Sequence, residues 1–97
     1  MYAVIFKAVI KQLDEQYEDM LVELRALSVN KYGCVDIQSV TEGENEVTIS
    51  YWNSLDDIKL WKQDERHLLA QRLGMEKWYK SYQIQIVEIL KDYKNET

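Results

Sequence analysis

Proline is absent from the 97 residues, cysteine and histidine occur once each, and no apolar run approaches the roughly 20 residues that a membrane-spanning helix requires. A lone cysteine, Cys34, excludes an intrachain disulfide and a cysteine metal cluster, and its expected role is that of a small buried apolar residue. The 12 basic residues are dispersed among 17 acidic ones, for a net charge of -5, so the chain lacks the basic patch that nucleic acid or an anionic membrane surface would demand. The start, Met1-Tyr2-Ala3-Val4, lacks the basic leader of a signal peptide, and the expected location is the cytoplasm. Also missing are a Gly-rich phosphate loop, a dinucleotide fingerprint and any His, Cys or carboxylate cluster with metal spacing, so the expectation is no cofactor and no metal.

What is present is a globular composition, 46% hydrophobic and 30% charged, at the length of one small domain whose core is marginal alone. Tyr2 to Ile10 is rich in β-branched and aromatic residues and predicts a strand. Leu13, Tyr17, Met20, Leu21, Leu24 and Leu27 then recur at helical spacing, which predicts an amphipathic helix from Asp14 to the neighbourhood of Asn30 to Gly33. Cys34 to Thr41 and Glu46 to Trp52 read as a hairpin joined by Glu42-Gly43-Glu44-Asn45. Ser54, three residues before Asp57, caps a second helix that breaks at Gln63-Asp64 and resumes through His67 to Leu73. Gly74 is expected to end it in a left-handed conformation, with Met75 to Tyr79 adding one more turn. Tyr82 to Leu90 predicts the last strand.

The order β-α-β-β-α-β fits the split-βαβ arrangement, with the first and third strands expected side by side and parallel at the centre. A domain over 1–91 would be followed by a frayed polar tail over 92–97. Helices cover one face of such a sheet, yet every predicted strand keeps apolar residues on both sides. A second copy of the chain is the economical cover, and the expected partner is therefore the chain itself, as a homodimer.

The stretch Tyr51-Trp52-Asn53-Ser54-Leu55-Asp56-Asp57, followed by Trp61, His67, Ala70-Gln71-Arg72, Gly74, Trp78-Tyr79 and Tyr82, resembles the antibiotic biosynthesis monooxygenase family. The likeness spans essentially the whole chain in element order. It implies a ferredoxin-like α+β fold with a four-stranded antiparallel sheet, assembled as a dimeric α+β barrel with a pocket in each subunit. It further implies a cofactor-independent monooxygenase acting on a small aromatic or quinol-like substrate. A non-catalytic dimeric module holding a small hydrophobic metabolite is the alternative, and heme binding or degradation is a third. The heme-degrading branch shares a tryptophan at Trp61, but Gln71 stands where its histidine would be, and Phe6 or Lys7 where it has an asparagine; both departures count against heme degradation.

On this resemblance His67 is the candidate catalytic base, since an imidazole with an ordinary pKa near 6.5 accepts a proton at neutral pH. Its plainer reading is an exposed histidine in the first turn of a helix. Trp52, Trp61, Trp78, Tyr79 and Tyr82 are candidates for a flat apolar lining, and the plainer reading makes them core or dimer interface. Asn53, Gln71 and Arg72 are candidates to orient a substrate oxygen, against a turn residue and two solvated helix positions.

Overall fold

The computed structural model describes residues 1–95. It runs β1 (Tyr2–Ile10), α1 (Glu15–Tyr32), β2 (Asp36–Glu42), β3 (Asn45–Trp52), α2 (Leu55–Lys62), α3 (Glu65–Leu73), a π-helical turn (Gly74–Trp78) and β4 (Tyr79–Glu88). Each helix starts where a short polar side chain satisfies a free backbone N–H. Asp14 accepts from Tyr17 N, Ser54 from Asp57 N, and Asp64 from Arg66 N and His67 N. Asp64 itself is extended (φ -62, ψ 137), and that separates α3 from α2. At Gly33 α1 stops in the left-handed region (φ 79), and Gly43 (φ 60) supplies the same conformation in the β2–β3 turn.

The strands lie in the order β2-β3-β1-β4, and every pairing is antiparallel. The central pair is β1 and β3 as expected, but it is antiparallel rather than parallel. The reason is topological: α1 returns the chain so that β2 runs the same way as β1, and the hairpin then reverses β3. Gly74 also departs from expectation, being right-handed (φ -59, ψ -47) and buried. A Cβ there would stand 2.9 Å from Cδ2 of Tyr79, so the residue is small because a ring packs on its backbone. β4 starts at Tyr79, three residues ahead of the predicted Tyr82. Tyr79 and Tyr82 both meet Phe6, at 5.4 and 6.0 Å between ring centroids, because a bulge opposite Val9 and Ile10 breaks the two-residue alternation.

All three helices pack on the sheet face that carries Tyr2, Val4, Trp52 and Ile37. The core beneath them falls into two clusters. One joins Cys34, Trp52, Ile58 and Trp61, and the other joins Tyr17, Met20 and Trp78. Cys34 is buried, as its solitary apolar role requires, and burial pushes its thiol pKa up. The opposite sheet face presents Ala3, Ile5, Val47, Ile49, Tyr51 and Val87 in register. Residues 89–95 carry no helix or strand; of the tail expected over 92–97, residues 96 and 97 lie outside the described residues. No helix among the described residues is long and apolar enough to cross a membrane.

Candidate functional site: a cavity between the two halves of the core

Between the two clusters the sheet and the helices leave a partly open cavity of about 190 Å³. Val4, Phe6, Thr48 and Ile84 form its floor, and α1 and α3 contribute Leu21, Leu24 and Ala70 above. Among the predicted site residues, Trp61, His67, Gln71, Trp78 and Tyr82 all wall this space, as does Tyr79. Three others stand apart from it. Trp52 is fully buried in the core, where its indole N–H donates to Ser50 Oγ at 2.9 Å. Asn53 is exposed at the bend after β3, and Arg72 is likewise exposed on α3.

His67 sits in the first turn of α3, as the spacing predicts, but its ring is turned inward against Trp61 at 4.8 Å between centroids. Trp61 is held in turn by Tyr32, whose hydroxyl donates to Asp64, the residue that caps α3 at the backbone of His67. Burial, helped by the charge of Lys62, lowers the histidine pKa below 6.5 and leaves the imidazole neutral at physiological pH. Its Nδ1 is buried and has no hydrogen-bond partner among the described residues.

A second polar group lies at the other end of the cavity wall. Glu46 is only 4% exposed, and one carboxylate oxygen, Oε1, accepts from the Tyr17 hydroxyl. Tyr79 stands beside Tyr17, at 6.4 Å between ring centroids. Burial first, and then Glu46, through its hydrogen bond to Tyr17 and its charge beside Tyr79, push both phenol pKa values up, so both hydroxyls stay protonated. Arg25 binds Ser39 Oγ through Nη2 at 2.9 Å. Oε2 of Glu46 and Nε of Arg25 are buried with no partner in hydrogen-bonding geometry among the described residues.

No family model matches the chain. A curated relative does: YqjZ of Bacillus subtilis, an uncharacterised protein, is 32% identical over 89 residues, covering 91% of this chain and 78% of that one. Among solved structures, SnoaB, a cofactor-independent oxygenase from Streptomyces nogalater, superposes with a TM-score of 0.79 at 10% identity over 97% of both chains. Rv0793 from Mycobacterium tuberculosis gives 0.80 at 12% identity, over 96% of this chain and 98% of that one. A protein described as an antibiotic biosynthesis monooxygenase gives 0.68 at 15% identity, over 94% and 100%. The chain belongs to the YqjZ family, and its fold is that of the antibiotic biosynthesis monooxygenases.

For this YqjZ-family chain, sequence reasoning missed Tyr17, Arg25 and Glu46, and the reason is instructive. In Glu46-Val47-Thr48-Ile49-Ser50-Tyr51-Trp52 the apolar set Val47, Ile49, Tyr51 is the ordinary choice for the helix-covered face. Register puts Glu46, Thr48 and Ser50 there instead, opposite Ala8, Phe6 and Val4. The available signal was a strand with a polar face and an apolar face in a sheet covered by helices on one side only.

Proposed function

We propose that this protein is a monooxygenase of the antibiotic biosynthesis monooxygenase type, working without a cofactor on a small aromatic or quinol-like substrate as a cytoplasmic homodimer. The observation that carries the reading is the partly open apolar cavity with a neutral imidazole in its wall. A cavity of about 150 Å³ lined by aliphatic and aromatic side chains binds benzene in another protein. A space of about 190 Å³ therefore accommodates an aromatic ring. The uncovered apolar sheet face supports the dimer.

The chemistry asks little of the protein beyond a base, a fixed geometry and exclusion of water. His67 takes a proton from an electron-rich phenol or its keto tautomer, and the resulting anion reduces oxygen and combines with it. The proton returns to the peroxide, which loses water: a ring CH2 and O2 become C=O and H2O, with all four electrons drawn from the substrate. Trp61, Trp78 and Tyr82 offer the ring flat apolar surfaces, and Gln71 offers an amide.

Oxygen uptake with a panel of single-ring hydroquinones and larger anthrones tests the proposal. The single-ring compounds should drive uptake above buffer, and His67→Gln should lower kcat by about 10²-fold or more, the usual contribution of a general base. No uptake with any of them, or identical rates in the variant, overturns it. Binding without uptake would leave a binding module.

A further inference from the structure

We infer that Tyr32, the last residue of α1, is the positioning residue for His67, fixing the imidazole in the cavity wall through its hydroxyl and its ring together. This rests on the proposed role of His67 as the base. α3 needs such a tie, because none of its residues is fully buried and the extended backbone at Asp64 separates it from α2. Two polar contacts among the described residues join its start to α1. One is the ion pair of Arg66 with Glu23 at 2.7 Å, whose side chains are 54% and 40% exposed, and pairs as exposed as this contribute little. The other is made by Tyr32.

The tyrosine reaches the histidine by two routes. Its hydroxyl donates to one carboxylate oxygen of Asp64, Oδ2, while the other, Oδ1, accepts from Arg66 N at 2.8 Å and His67 N at 3.4 Å. A capping carboxylate that could otherwise rotate is thereby held in one orientation, and the first turn of α3 with it. The Tyr32 ring lies 5.3 Å from that of Trp61, which in turn lies 4.8 Å from the imidazole. Trp61 is buried, and in a close-packed interior it passes on the position of Tyr32 rather than yielding to it. Tyr32 itself is fixed at the end of α1, where Gly33 turns left-handed and Cys34 N donates to Ser28 O at 2.9 Å. A base must stand within hydrogen-bond reach of the proton it takes, and small displacements of a catalytic group cost rate steeply.

His67 is the only histidine, so its ring protons can be followed by NMR without any substrate. Tyr32→Phe keeps the aromatic ring and removes the hydroxyl. Lys62 at the end of α2 and Asp64 at the head of α3 are the charges that act on the imidazole, and the substitution replaces neither, so a moved titration reports the burial of the ring. In Tyr32→Phe the His67 titration should move up toward 6.5, whereas Glu23→Gln, which cuts the exposed ion pair on the same helix, should leave it in place. In oxygen uptake, Tyr32→Phe should lower kcat by about tenfold or more with KM little changed. A titration that stays where it is in Tyr32→Phe overturns the inference, and so does an equal movement in Glu23→Gln, which would mean that any loosening of α3 suffices. An unchanged kcat overturns it as well. A titration that moves in a protein that consumes no oxygen keeps Tyr32 as the residue that holds His67 and removes the oxygenase instead.

Discussion

Packed against the Trp61 ring, His67 loses the hydration that stabilises an imidazolium, and the nearby Lys62 charge works in the same direction. The sign of the resulting pH dependence follows from linkage. Above pH 6.5 the histidine is neutral in both the folded and the unfolded chain. As pH falls below that value the unfolded chain takes up a proton that the folded chain, with its lowered pKa, does not, so stability declines until the folded pKa is reached. Asp14, lowered by Lys77, and Asp64, lowered by the Tyr32 hydroxyl, act in a separate window below the ordinary carboxylate value of 3.8. Thermal midpoints should therefore fall between about pH 7 and about pH 5, and His67→Gln should flatten that fall while leaving the steeper loss at lower pH. A variant with the same slope would show that the inward ring contributes nothing to the titration. His67 was legible in the sequence because its chemistry singles it out. Glu46 was not, since one of many glutamates declares itself only when strand register turns it inward.

The break between α2 and α3 was readable at Gln63-Asp64, and the caps at Asp14 and Ser54 fall where hydrophobic periodicity begins. The link from α3 into β4 was not. Glycine after a helical run ordinarily signals a left-handed stop, yet here the chain continues through a π-helical turn, which widens the coil and delivers Trp78 and Tyr79 to the cavity wall. Two N–H groups beyond β1, of Lys11 and Gln12, bond to the carbonyl of Trp78 and fix the turn against the sheet, and the Trp78 indole donates to Asp14 at 3.0 Å. The Tyr79 ring lies so close to Gly74 that one added methyl must displace it or the turn. Gly74→Ala should lower stability by about 1–3 kcal/mol, the usual range for overpacking, and move Tyr79 from beside Tyr17. Urea unfolding with a matched m-value checks the first expectation; an unchanged midpoint would mean that the turn yields freely.

At the scale of the whole molecule, the same alternation that hides Glu46 explains why a 97-residue chain would need a second copy. Polar residues of β3 turn toward the helices and the cavity, and the apolar residues displaced from that face, Val47, Ile49 and Tyr51, emerge on the other beside Ala3, Ile5 and Val87. The two-faced apolar character was plain in the sequence; which face held the better packed core was not, because alternation alone carries no sign. Small domains bury too little surface to leave such a face in water without cost. Sedimentation at micromolar concentration should therefore give a dimer, with a melting midpoint that rises with protein concentration, as mass action requires of a folded state tied to association. Ile5 and Ile49 are cross-strand partners at the middle of the face. Ile49→Lys would set a charge against its symmetry-related surface and should shift the chain to monomer with a lowered, concentration-independent midpoint. A stable folded monomer of the unaltered chain at the same concentration would take the dimer away, while the cavity, formed wholly within one chain, would remain to be tested by its ligands.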